Sequence, residues 1–115
     1  MKFGTQYKQG EIIIVPFPFS DLTVTKQRPV LIISKNSDNF SSDDIITCGL
    51  TSNLRDSRNS VLINNNDLEY GSIPTESRIK VDKLFTLDKK IVKKKLAKIN
   101  KTAFSKLKKE FLKLI

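Results

Sequence analysis

The residue whose type and position most suggest chemistry is Arg28, which lies in the string Lys26-Gln27-Arg28-Pro29 before an apolar run. Pro29 biases the backbone of Arg28 towards an extended conformation, so the sequence predicts a cation where a polar loop meets a buried strand. A guanidinium offers paired donors to the oxygens of a phosphodiester, where negative charge grows during cleavage. An ordinary ion pair with Asp21 or Glu11 is the alternative, and the spacing alone slightly favours it.

Hydroxyl groups form the second set of candidates. Thr51 and Ser52 directly follow a predicted strand, where a hydroxyl could bond a phosphate oxygen or a ribose 2′-OH. Capping of a turn is the commoner role for such residues and remains the alternative. Ser20, which ends the string Pro16-Phe17-Pro18-Phe19-Ser20, is a weaker third candidate. Phe17 could stack on unpaired bases, whereas Phe19 is expected to close one end of the core.

Lys80 and Asp82 stand two residues apart on a predicted strand, so their side chains share one face. A plain ion pair worth under ~1 kcal/mol is one interpretation of this spacing. The chain has no histidine, so catalysis would depend on arginine, lysine, carboxylates or hydroxyls. Its single cysteine, Cys48, lies in an apolar run and argues against a zinc site. We predict no metal and no cofactor.

Charge is distributed unevenly over the 115 residues, which we interpret as one domain spanning 1–115. Of the formal net charge of +9, residues 89–115 contribute +10 and residues 1–88 contribute −1. A lysine-rich segment attracts polyanions without selecting among them, and a solvated surface is an equally good interpretation. No apolar run approaches the ~20 residues of a membrane span, and no secretory signal is evident. We expect a cytoplasmic location, with no membrane partner.

The elements that must position these residues are mostly short strands. Apolar runs bounded by turn formers predict strands, which are listed here as 12–15, 30–34, 45–50, 61–63, 78–87 and 91–99. Residues 20–27 are predicted as a polar loop and 35–44 as a connection, with a bulge or close approach at Gly49. From Lys101 onward the apolar residues follow a helical period, and Asn100 can cap the helix. The pattern predicts a mainly β fold: a small, closed or nearly closed barrel with a C-terminal amphipathic helix.

Three strings together resemble the MazF/PemK family of toxin ribonucleases and cover roughly residues 8 to 100. They are P-F-P-F-S-D followed by K-Q-R-P-V-L-I-I-S, then I-I-T-C-G-L-T-S-N at 45–53, and S-I-P-T-E-S-R-I-K-V-D-K-L-F-T-L-D at 72–88. The resemblance implies an SH3-like barrel of about five to seven short strands. It also implies a type II toxin–antitoxin toxin: a metal-independent endoribonuclease that leaves 2′,3′-cyclic phosphate and 5′-OH ends on single-stranded RNA.

The same resemblance assigns roles to individual residues. Arg28 and Thr51 match the family's catalytic arginine and threonine, and Ser20, Ser52, Lys80 and Asp82 are further candidates for catalysis or phosphate contact. RNA-binding residues are predicted in the matched strings: Phe17, Lys26, Gln27, Asn53 and Arg78. Some members use an R-x-D pair and a histidine, but here lysine replaces the arginine and the histidine is absent.

Partners follow from the resemblance as well. It predicts a homodimer that holds a short RNA sequence across a groove, and an acidic antitoxin whose disordered segment folds into the same groove. The alternative function is a non-catalytic SH3-like module, or a degenerate toxin homologue, that binds nucleic acid or a protein partner.

Overall fold

Seven strands and two α-helices form the part of the chain that the computed structural model describes, residues 6–18 and 25–115. The strands are β1 (Glu11–Pro18), β2 (Thr25–Ile32), β3 (Asp44–Thr51), β4 (Ser60–Ile63), β5 (Leu68–Gly71), β6 (Ser77–Asp88) and β7 (Lys94–Ile99). The helices are α1 (Asn36–Ser41) and α2 (Lys101–Leu112), and short 3-10 turns cover Asn65–Asp67 and Lys89–Ile91. None of the described helices is long and apolar enough to cross a membrane.

The strands form one antiparallel sheet in the order β4-β6-β3-β2-β1-β7-β5. Because side chains alternate between the two faces of a strand, the apolar runs supply residues to both faces. The sheet curls into a half-barrel, which confirms the prediction of a mainly β, barrel-like fold with a C-terminal helix.

The first core lies on the sheet face that α2 covers. Ile12, Leu31, Cys48 and Ile79 on the strands are buried there against Ala103 and Leu107 of the helix. Leu107 belongs to the helical apolar period predicted from the sequence, and burying each large side chain contributes about 1.5–3 kcal/mol. The Asn100 side chain accepts a hydrogen bond from the Ala103 amide at 2.9 Å, so the predicted N-cap is present.

The second core lies on the opposite face of the sheet. Its buried residues come from three adjacent strands: Ile13, Val15, Val30, Ile32 and Ile45. Leu87, Ile91 and Val92, at the end of β6 and in the connection to β7, pack over them. Arg28 lies on the same face, two residues before Val30 on β2, and its side chain is exposed.

Several element boundaries differ from the sequence prediction. Strand β2 begins at Thr25 rather than Val30, because residues 25–29 pair with β1 despite their polarity. Helix α1 occupies part of the connection predicted at 35–44, and strand β5 forms where no strand was predicted. Strand β7 begins at Lys94, after a 3-10 turn, rather than at residue 91. The predicted irregularity at Gly49 is confirmed: Cys48 pairs with Leu84 but Gly49 pairs with Lys80, so the β6 residues between them bulge.

Candidate active site

Arg28, Thr51 and Arg78 lie in one row across the second face of the sheet, and we call them the polar row. Thr51 pairs directly with Arg78 on β6, and Val30 of β2 pairs with Gly49 of β3. The β2–β3 pairing ends at Val30 and Gly49, and Arg28 and Thr51 each lie two residues beyond that last pair. Because side chains alternate along a strand and paired residues share a face, Arg28 and Thr51 are on the same face of the sheet as Val30 and Gly49.

The polar row is accessible to a ligand. Arg28 is exposed, as are Lys26 and Gln27 beside it on β2, while Thr51 and Arg78 are partly buried. Val15, which pairs with Arg28 on β1, belongs to the second core. The row thus places two arginine cations on one face of the sheet, an arrangement that suits a polyanion.

The Thr51 hydroxyl organises the turn that follows β3. Its Oγ1 accepts a hydrogen bond from the Asn53 amide at 3.1 Å, and the Asn53 Oδ1 accepts one from the Arg55 amide at 3.2 Å. The turn-capping alternative therefore describes a contact that Thr51 does make. A hydroxyl also carries one donor hydrogen, which leaves Thr51 the capacity to bond a ligand oxygen as well. Ser52 and Asn53 are both exposed at this turn.

Arg78 and Lys80 project from β6 onto the loop between β3 and β4. Arg78 Nε donates to the Leu54 carbonyl at 2.6 Å, and its Nη1 donates to Ser60 Oγ at 3.3 Å. Lys80, only 4% exposed, donates to the Asp56 carboxylate at 2.8 Å, to the Asp56 carbonyl at 3.5 Å and to the Arg58 carbonyl. Its hydrogen bond to Asp56 is the main reason that the pKa of this carboxyl group lies below its ordinary value.

Asp82 lies within the β6 bulge, where it is a peripheral partner of Lys80. Its Oδ1 is 3.9 Å from Lys80 Nζ, and its Oδ2 accepts a hydrogen bond from the Asn59 side chain at 3.4 Å. The ion-pair interpretation of this spacing therefore describes a contact in the structure, although a long one. Asp56 is the nearer acid, and the sequence analysis did not single it out because nothing local links position 56 to position 80.

The remaining candidates fall partly outside the described residues. Ser20, Phe19 and Asp21 lie outside the described residues, so the roles predicted for them stay predictions. Phe17 lies within β1, where its backbone pairs with Lys26. Cys48 is fully buried in the first core, and burial raises the pKa of its thiol to about 12, so it is not a nucleophile at neutral pH.

Residues 8–115 match the model of a family described as the PemK-like, MazF-like toxin of type II toxin-antitoxin systems. The chain belongs to this family. The match covers the polar row, the loop after β3 and helix α2, and it confirms the resemblance found in the three sequence strings. Curated protein sequences give no match.

Solved structures share the fold of this PemK/MazF-family chain at low identity. An endoribonuclease from a mycobacterial species is 20% identical with a TM-score of 0.76, covering 97% of this chain and 93% of that one. A mycobacterial endoribonuclease in complex with its cognate antitoxin is 19% identical with a TM-score of 0.77, covering 93% and 92%. A MazE–MazF complex from Deinococcus radiodurans is 15% identical with a TM-score of 0.77, covering 96% of each. At these identities the likeness establishes the fold.

Proposed function

We propose that this toxin-family protein is a metal-independent endoribonuclease that cleaves single-stranded RNA, with Arg28 and Thr51 as its catalytic pair. The observation that carries the proposal is that both residues lie on the second face of the sheet, on the paired strands β2 and β3, each two residues beyond the Val30–Gly49 pair. Solved structures of the same fold include endoribonucleases, which supports this choice. Lys26, Gln27, Asn53 and Arg78 surround the pair and would contact the RNA on either side of the scissile phosphate.

The reaction we propose is a transesterification within the RNA. The ribose 2′-oxygen forms a bond to the adjacent phosphorus while the bond from phosphorus to the 5′-oxygen breaks, leaving 2′,3′-cyclic phosphate and 5′-OH ends. The proton lost by the 2′-OH and the proton gained by the 5′-oxygen balance. The Arg28 guanidinium would stabilise the charge that develops on the phosphorane oxygens. The Thr51 hydroxyl would donate to one of them.

Two partners belong to the proposal. One is a small antitoxin with an acidic, disordered segment, since the exposed cations of β2 and the polar row would attract carboxylates as they attract phosphates. Solved structures of the fold include toxin–antitoxin complexes from mycobacteria and from D. radiodurans. The other is a second copy of the chain, forming a homodimer in the cytoplasm that holds RNA across its groove. Mass measurement in solution and co-purification with the product of an adjacent acidic reading frame test these two partners.

Incubation of the purified protein with end-labelled single-stranded RNA in EDTA tests the enzyme directly. We expect cleavage with cyclic phosphate ends, and no cleavage of DNA of the same sequence, because DNA has no 2′-OH nucleophile. Retention of RNA without cleavage would instead support the non-catalytic module.

Substitution at the polar row tests the assignment of residues. Arg28→Ala should slow single-turnover cleavage by at least ~10²-fold, and Arg28→Lys should recover little because an ammonium lacks the paired donor geometry. Thr51→Val keeps the branched shape but removes the hydroxyl, and should also reduce the rate. Lys106→Met, at an exposed position on α2, is the control for loss of one charge. Wild-type rates in Arg28→Ala would remove Arg28 from the mechanism.

A further inference from the structure

Hydrogen bonds restrain the loop between β3 and β4 more extensively than its length and polarity suggest. Its backbone carbonyls from residue 53 to residue 59 each accept a described hydrogen bond. The loop's own amides and Ser60 Oγ supply those to Asn53, Arg55 and Ser57, and the Val81 amide bonds Asn59. The other three carbonyls, at Leu54, Asp56 and Arg58, accept from the side chains of Arg78 and Lys80. Two cations on one strand thus fix alternate residues of the loop.

Lys80 makes most of the hydrogen bonds that β6 side chains donate to this loop. Its ammonium group has three hydrogens, and the structure gives it three acceptors: the Asp56 carboxylate, the Asp56 carbonyl and the Arg58 carbonyl. We call Lys80 with these acceptors the Lys80 clasp. The ammonium is almost fully buried, so its donors face the loop rather than the open face of the sheet. A proton donor for the leaving group would need the opposite arrangement.

The clasp lies one row from the catalytic pair. Lys80 pairs with Gly49 on β3 and with Ser60 on β4. Arg78, two residues before Lys80 on β6, pairs with Thr51. The loop held by the clasp begins directly after Thr51, whose hydroxyl bonds the Asn53 amide. Movement of the loop would therefore displace the Thr51 hydroxyl and Asn53 relative to Arg28.

We propose that Lys80 is a positioning residue, which holds the loop of residues 52–59 so that Thr51 and Asn53 stay in place beside Arg28. This inference rests on the proposed ribonuclease function and gives Lys80 a role other than proton transfer. Lysine suits the role because a compact ammonium can direct three donors towards three acceptors on one side, whereas a guanidinium is planar. Misplacement of a reacting group by about 1 Å can reduce a rate ~10²-fold, so a restraint of this kind has a measurable effect on catalysis.

The test compares Lys80→Met with wild type and with the control Lys106→Met. Amide hydrogen exchange should be at least ~10-fold faster at Asn53, Arg55, Asp56 and Ser57 in Lys80→Met, while core amides such as that of Leu31 stay protected. Single-turnover cleavage should be ~10-fold or more slower, with KM changed less than kcat. When Lys80→Met is added to Thr51→Val, the further loss of cleavage rate should be much smaller, because Lys80 acts through the position of Thr51. Asp56→Asn, at an exposed position, gives a milder version of each effect if Lys80→Met fails to fold.

Different results would overturn different parts of the proposal. Loop amides that exchange at the wild-type rate in Lys80→Met would refute the clasp, whether or not the protein cleaves RNA. Faster exchange with unchanged cleavage would refute the positioning role, as would full additivity with Thr51→Val. A wild-type protein that fails to cleave RNA would refute the proposed function at the first step, before any variant is compared, and the role of Lys80 in catalysis would fall with it.

Discussion

Among the residues that the structure describes, two charged side chains are buried in the sheet, Glu11 on β1 and Lys80 on β6, and they have different surroundings. Glu11 is 1% exposed and Lys80 is 4% exposed. The Glu11 carboxylate accepts from the Lys8 amide at 2.6 Å and from the Tyr70 hydroxyl at 2.5 Å, and it pairs with Lys95 at 3.2 Å. Its partners therefore come from the segment before β1, from β5 and from β7. The hydrogen-bond acceptors of Lys80 come from one loop, and Asp82 on its own strand is a more distant ion-pair partner.

The difference shows that burial of a charge does not by itself indicate a functional residue. Glu11 joins segments that are distant in sequence at the end of the sheet away from the polar row, since it lies four residues before Val15, about 13 Å along the strand. Lys80 joins the sheet to the loop that begins at Thr51. We therefore expect Glu11 to determine stability alone and Lys80 to determine both stability and rate.

Removal of Glu11 should give the largest effect on stability. Glu11→Ala leaves the Tyr70 hydroxyl, the Lys8 amide and the Lys95 ammonium without their shared acceptor, and should lower the free energy of unfolding by about 3–5 kcal/mol. Denaturant unfolding measures this, with Glu76→Ala at an exposed position as the control. Cleavage by the folded fraction should be unchanged. A loss below about 1 kcal/mol, or a slower chemical step, would remove the contrast with Lys80.

Substitution of Tyr70 should give a smaller effect that depends on alkaline pH. The ring is 45% exposed, yet its hydroxyl bonds the buried Glu11 carboxylate, so Tyr70→Phe should lower the free energy of unfolding by about 1 kcal/mol at neutral pH. The pKa of Tyr70 is raised from 10.0 to about 12. Partial burial is the larger cause, and the hydrogen bond to Glu11 is the second. The stability difference between wild type and Tyr70→Phe should therefore be constant below pH 10 and decrease as the pH rises towards 12. Unfolding of both proteins at pH 8, 10 and 11 measures it, and a difference that grows with pH would contradict this sign.

Protonation of Asp56 should give the smallest effect, confined to acid. The pKa of Asp56 is lowered, mainly by its hydrogen bond from Lys80, so the clasp contributes stability above the ordinary value of 3.8 and loses it as the pH falls through the lower, folded-state value. Wild type and Asp56→Asn should differ in Tm by a constant amount at neutral pH and converge only below pH 3.8. If the Tm values of wild type and Asp56→Asn already converge at pH 5 or 6, the Lys80–Asp56 pair does not hold the loop.

Local patterns predicted the elements but not the contacts between them. The run Ile12–Val15 and the Asn100 cap are encoded within a few residues, and the structure contains both a strand and a helix where they predict them. The start of β2 was missed because pairing with β1 overrides the polarity of residues 25–29.

The candidate site depends on register between distant segments. Arg28 was identified from its string, but its place on the same face as Thr51 follows from how β2 and β3 pair. Lys80 and the Asp56 carboxylate are 24 residues apart, and the Tyr70 and Glu11 side chains are 59 apart. Spacing along one strand could indicate Lys80 with Asp82, but only the folded chain reveals that Asp56 is the closer partner.

The burial of Cys48 has a practical consequence for handling the protein. Its thiol lies between the sheet and α2, and its raised pKa keeps it protonated, so alkylating reagents and oxidants reach it only when the first core opens. The single cysteine rules out a disulfide within the chain, and its burial keeps two folded molecules from joining through this sulfur. Samples should therefore keep without added reductant, and the labelling rate of this one sulfur reports how often α2 leaves the sheet.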